Sequence, residues 1–144
     1  MRGKYVLLSV AFLSLGTAAA FAGTTLAVVE HAATDAVTDT GAPGDSAGDL
    51  LSFANPVFDA ANKTQVGTDH GFCIRTEVGK SWECYWTITL AGGQITVEGP
   101  FLDKGDSVLA ITGGTGKYAN SRGQMKLHAR DEKGSEYDFI YELQ

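Results

Sequence analysis

The segment Ser81-Trp82-Glu83-Cys84-Tyr85-Trp86-Thr87-Ile88-Thr89-Leu90 decides the fold class. Successive side chains of a β-strand point to opposite faces, so Trp82, Cys84, Trp86, Ile88 and Leu90 share one side while Glu83, Thr87 and Thr89 hold the other. The pattern predicts a half-buried strand. Near the C-terminus Tyr137, Phe139, Tyr141 and Leu143 repeat it. Further extended runs stand at 24–31, 51–58, 65–76, 94–99, 107–113 and 123–130, with Gly, Asn, Asp and Lys punctuating the later ones. Together with 81–90 and 137–143 they make eight, and no helical period interrupts them. That spacing predicts an all-β domain, a sandwich or an eight-stranded antiparallel β-barrel. Such a barrel either fills its interior with side chains or keeps room for one small ligand. Residues 32–49, rich in Ala, Thr, Asp and Gly with Pro43 among them, read as a long polar connection that is either functional or mobile. A turn or a single helical turn is expected at Gly113-Gly114-Thr115-Gly116-Lys117.

Cys73 and Cys84 flank the turn sequence Glu77-Val78-Gly79-Lys80. If Val78-Gly79 is the loop, Cys73 faces Cys84 across a hairpin and a disulfide is the default expectation. A two-residue loop leaves this pair at a hydrogen-bonded position, where Cα atoms stand farther apart, so a bulge or longer loop should relieve it. Closing so short a loop should stabilise the fold by roughly 2–3 kcal/mol in the chain-entropy model.

Export is expected from the N-terminus. Arg2 and Lys4 precede an apolar run over 5–15 and the small-residue site Ala20-Phe21-Ala22, the order of a signal peptide cleaved before Gly23. The domain is then 23–144, secreted or periplasmic, and no run in it is long and apolar enough for a membrane helix. It carries nine basic against seventeen acidic residues. That excess of acid excludes nucleic acid, whose binding relies on clustered Lys and Arg, and disfavours anionic membranes after signal cleavage. His31, His70 and His128 lack metal-ligand spacing, so no metal is expected. The Gly113 run lacks the first glycine and the Ser or Thr of a phosphate loop, since Ile111 and Tyr118 stand there. A Cys73 thiolate activated by nearby His70 is forbidden by the disulfide, and His70 falls on the opposite strand face.

Several words occur in one order: Gly48-Asp49-Leu50, Phe53-x-Asn55, Gly71-x-Cys73, Gly93-Gln94-Ile95-x-Val97-x-Gly99-Pro100-Phe101-Leu102, Leu109-Ala110-Ile111-Thr112-Gly113-Gly114-Thr115-Gly116-Lys117-Tyr118, and Ser121-Arg122-Gly123. Together they resemble the allene oxide cyclase-like and dirigent-like barrels over most of 23–144. The resemblance implies an eight-stranded barrel, a homo-oligomer (dimer or trimer), and an apolar lumen that steers a reactive molecule to one stereochemical outcome without a cofactor. It also implies three site residues. Glu30 would polarise the substrate or stabilise developing positive charge, Asn55 would help hold a water against the substrate oxygen, and Cys73 would line the lumen. Ala32 and Phe101 stand where the plant cyclases have asparagine and tyrosine.

Arg75, Trp82, Trp86, Phe101 and Tyr141 are the further candidates for lining a ligand, with aromatic packing as the alternative. Arg75 shares the face of Cys73 and is a candidate ion-pair partner for Glu30. Two functional readings remain open. One is a secreted barrel that encloses a small apolar molecule and acts as an isomerase or cyclase; the other is a non-catalytic module that binds a lipid-like ligand or works through its outer surface.

Overall fold

The computed structural model describes residues 23–144, and the expected signal peptide at 1–22 lies outside the described residues. Nine strands follow one another: β1 (Thr24–His31), β2 (Ala36–Thr38), β3 (Leu50–Asp59), β4 (Gln65–Glu77), β5 (Ser81–Leu90), β6 (Gly93–Leu102), β7 (Ser107–Gly114), β8 (Gly123–Ala129) and β9 (Glu136–Leu143). All pairings are antiparallel, in the order β1-β9-β8-β7-β6-β5-β4-β3-β2, and β1 also pairs with β3. That last pairing closes eight strands into a barrel, as the family resemblance implied. Both ladders run along one edge of β3. β1 takes residues 57–59 and β2 takes residues 50–52, so the chain leaves this edge after His31 and returns to it at Ala36. The long polar connection thus contains a short strand. All three residues of β2 are exposed, and so brief a segment shows no alternation to read.

The barrel end that carries β2 is called the upper end below. The expected bulge lies in the β4–β5 hairpin. Arg75 pairs with Trp82 but Glu77 with Ser81, leaving Thr76 extra, and the Lys80 N–H donates to the Glu77 carbonyl at 3.0 Å. The extra residue puts Cys73 and Cys84 at a narrow position with Cα atoms 4.0 Å apart, where they are joined as a disulfide facing the interior. At the lower end Val57, Ile88, Ile95, Leu109 and Met125 pack with no more than 1% of their surface exposed. The Gly113 run includes a 3-10 turn at Gly116–Tyr118. Gly116 has φ +58°, and a Cβ there would lie 2.1 Å from the Gly92 carbonyl oxygen; Lys117 N–H donates to that same oxygen at 2.9 Å. The run therefore packs against the β5–β6 turn, and glycine is required by that close approach.

Candidate functional site

The upper lumen holds a cavity lined by Glu30, Asp35, Leu51, Phe53, Cys73, Cys84, Trp86, Phe101, Leu127, Tyr137 and Phe139. The space open to the centre of a water-sized sphere is ≈ 40 Å³, within ≈ 360 Å³ of empty volume that runs out through the mouth. Its walls are layered by strand register. Leu51, Cys73 and Cys84 occupy one level, and Phe53, Gly71 and Trp86 the next. Trp86 stacks on Phe139 with ring centroids 5.4 Å apart and meets Phe53 edge-on at 6.1 Å, while Phe101 meets Tyr137 edge-on at 5.9 Å. Gly71 permits this arrangement. A Cβ there would fall 2.4 Å from Trp86 Cβ, 2.6 Å from the Tyr85 carbonyl oxygen and 2.7 Å from the Phe53 ring.

Polar groups enter the lumen where the chain crosses between β1 and β2. Asn55, fully buried on β3, turns its carbonyl oxygen toward that crossing and accepts from Ala33 N–H (3.0 Å), Thr34 N–H (2.9 Å) and the Thr34 hydroxyl (3.0 Å). Three donors on Oδ1 fix the amide orientation and leave Nδ2 as a pure donor. It donates to Glu30 Oε1 and, at 2.7 Å, to Asp35 Oδ1. One asparagine thus secures the break in the strand edge and gathers two carboxyl groups over an apolar space.

Glu30 is 4% exposed. Burial, then repulsion from Asp69 and Asp35, pushes its pKa up to about 8 against the lowering effect of the Asn55 hydrogen bond. Asp69, on β4 opposite Asn55, is fully buried, and neither of its carboxyl oxygens has a hydrogen-bond partner. Its own main-chain N–H and that of Asn55 offset part of the cost without closing a bond. Burial still carries its pKa up to about 7, with Asp35 adding repulsion. Tyr137, cross-strand from Glu30, is pushed up to about 12 by burial first and by Glu30, Asp35 and Asp131 after it. Tyr141 lies wholly inside and is raised by the same burial; the Trp86 indole N–H lies close enough to favour its phenolate, yet the two groups do not form a well-aligned hydrogen bond. Burial in the lumen thus favours the protonated forms of Glu30 and Asp69 among aromatic rings.

Of the residues singled out in the sequence, Glu30, Cys73, Cys84, Trp86 and Phe101 come together on the cavity wall, and Asn55 holds Glu30 from behind. Tyr141 sits deeper, fully buried, and is not part of that wall. Arg75 and Trp82 lie at the upper rim. The guanidinium bonds Asp45 (2.6 and 3.0 Å) and Asp103 (2.6 Å) and stacks over the Trp82 ring at 4.2 Å, so its partners are these aspartates and not Glu30. It pins residues 39–49 across the barrel end, where the Asp49 carboxylate accepts from Thr40 N–H and from Ser46 N–H and hydroxyl. Sequence reasoning missed Asp35, which sits in the stretch read as connection, and Asp69. The second had a signal: residue 69 shares the inward parity of Cys73 and Arg75, so an acid was due to face the core.

A family model described as allene oxide cyclase matches residues 28–130. Among solved structures, a pyocyanin demethylase is 28% identical and superposes with a TM-score of 0.74 over 84% of this chain and 100% of its own. A pterocarpan synthase dirigent protein is 15% identical, with a TM-score of 0.67 over 84% of this chain and 92% of its own. A Diels–Alderase from Streptomyces koyangensis is 13% identical, with a TM-score of 0.64 over 88% of this chain and 72% of its own. The last two identities speak to the shared barrel alone. The family match spans most of the barrel and agrees with the quoted words and with the closed eight-stranded sheet: the chain belongs to the allene oxide cyclase family.

Proposed function

We propose that this protein is an exported barrel that binds a small apolar molecule in its upper lumen and steers its isomerisation or cyclisation, with Glu30 in its acid form as the polar contact. The observation that carries the reading is a carboxyl group, 4% exposed, on the wall of a cavity that apart from it and Asp35 is built from aromatic and aliphatic side chains and the disulfide. An acid held neutral there can donate a hydrogen bond or a proton to a substrate oxygen as charge develops on it, while the rigid rings select one conformer. No cofactor enters this chemistry. Barrels of the same fold that are named as a Diels–Alderase and a pterocarpan synthase, and the 28%-identical pyocyanin demethylase, support small-molecule chemistry in such a lumen. The disulfide supports export to an oxidising compartment.

The narrowness of the cavity, ≈ 40 Å³ for water centres, favours a second reading in which the lumen serves packing and the outer surface does the work. One experiment separates the two. The purified mature protein is incubated with an organic extract of its own culture and examined by native mass spectrometry, beside Leu127→Trp, which fills the cavity wall, and Glu30→Gln. A bound small molecule that the Trp variant loses, and that Glu30→Gln retains without converting, supports the lumen reading. Binding that is equal in the wild type and Leu127→Trp refutes it.

A further inference from the structure

Asp69 is costly where it stands. It is fully buried, its two oxygens lack partners, and the nearby Tyr141 hydroxyl and Trp86 Nε1 are unpartnered as well. Each unmet buried polar group costs about 1–3 kcal/mol. A leucine at this position would remove the share that Asp69 itself contributes. Asp69 does not line the cavity, so it does not touch a ligand seated there. It lies on the level below, opposite Asn55, whose amide group is the hydrogen-bond donor to Glu30.

We propose that Asp69 is a positioning residue for the lumen site: an inner carboxyl that, across Asn55, keeps Glu30 in its acid form so that Glu30 presents an O–H to a ligand. Two carboxyl groups that close in an apolar interior cannot both ionise cheaply, so losing a proton from one makes the other hold its own more tightly. The charged and titratable groups facing Glu30 are Asp69 from β4, Asp35 from the crossing between β1 and β2, and Tyr137 and Tyr141 from β9. Among the described residues no ion pair reaches Glu30 or Asp69; Arg75 is engaged by Asp45 and Asp103. Asn55 adds direction. Its Oδ1 is consumed by Ala33 and Thr34, so Nδ2 must donate to Oε1, and Oε2 is the oxygen left to carry the proton of Glu30. The pair thus holds two protons at mildly acidic pH and surrenders one near neutrality, with the inner site taking the charge first.

The functional meaning rests on the proposed role of Glu30, but the test needs no ligand. The carboxyl carbons of Glu and Asp are labelled with carbon-13, and the Glu30 resonance, assigned by its loss in Glu30→Gln, is titrated in the wild type and in Asp69→Asn. The Glu30 midpoint should fall by about one pH unit or more in Asp69→Asn, because the repulsion is gone. An unchanged midpoint in a folded variant overturns the proposal, since a merely structural Asp69 would leave it in place. If Asp69→Asn does not fold, Asp69→Leu, which leaves no unpaired polar atom at that position, is titrated in its place: the Glu30 midpoint must fall comparably there, and a static one overturns the proposal. A shifted midpoint together with a cavity that captures nothing would sink the proposed function while leaving this coupling intact.

Discussion

Consider the folding stability of the mature chain as the pH is raised from 5 to 7. Glu30 and Asp69 keep their protons in the folded barrel up to about 8 and about 7, against 4.5 and 3.8 as ordinary values. Well below pH 3.8 both folded and unfolded chains hold these protons, and no differential exists. Above it the unfolded chain has released them and the folded chain has not, so unfolding liberates protons and stability falls as the pH rises. Each proton accounts for about 1.36 kcal/mol per pH unit, so two protons over two units set a ceiling of about 5 kcal/mol. The carboxylates shifted the other way, Asp49, Asp59, Asp131 and Glu142, are largely ionised in both states by pH 5 and add little slope in this window. His128, raised by the hydrogen bond it donates to the Asp106 carboxylate, loses its contribution as pH rises and so acts in the same direction from the surface. Thermal unfolding followed by circular dichroism at pH 5, 6 and 7 should show a midpoint falling by roughly 10–20 °C. Glu30→Gln and Asp69→Asn should each flatten part of the slope and the double variant nearly all of it. A wild-type midpoint that is level or rises from pH 5 to 7 would refute the reasoning.

Reduction of the Cys73–Cys84 disulfide, or Cys84→Ala, should lower the urea midpoint by an amount equivalent to about 3 kcal/mol, since the closed loop spans 11 residues; coincident curves for oxidised and reduced protein would contradict this. Asn55→Ala strips partners from Ala33 N–H, Thr34 N–H and the Thr34 hydroxyl, and should cost about 2–4 kcal/mol with a selective loss of amide exchange protection at 33 and 34. Uniform loss over the whole barrel would point elsewhere. Gly71→Ala drives a methyl into Trp86 Cβ and the Tyr85 carbonyl at 2.4 and 2.6 Å, so it should destabilise by about 1–3 kcal/mol or more and shift Trp86 fluorescence. An unchanged emission maximum would show the ring free to move aside.

The strands were legible because period-two alternation in β5 and β9 survives in every residue that faces inward, from Trp82 to Ile88 and from Phe139 to Tyr141, and their closure into a cylinder was legible only through the family resemblance. The disulfide was legible because strand register is arithmetic, and the need for a bulge followed from the same arithmetic even though Thr76 could not be named as the extra residue. Half of the polar site was not. Asp35 owes its place to a crossing between two ladders on one strand edge, a tertiary event that no local pattern records. Arg75 and Trp82 were read as lumen residues from parity alone, which sets the face but not the depth. At the rim, Asp45 and Asp103 from distant segments claim the guanidinium. Asp69 shows the converse: its parity gave the face correctly, and only burial shows what that placement costs.

The edge of β3 that is shared by two ladders also decides where the ring breathes. β1 clasps β3 through only three residue pairs, at 28–30, whereas β5 and β6 are stitched through ten. With so few pairs, that clasp should open under thermal motion before the longer ladders of the ring do. Glu30 is one of its three residues, and Asn55 ties the neighbouring turn to it. Under the proposed function, a guest too large for the resting lumen would enter beside Glu30, where this short ladder meets the cavity wall.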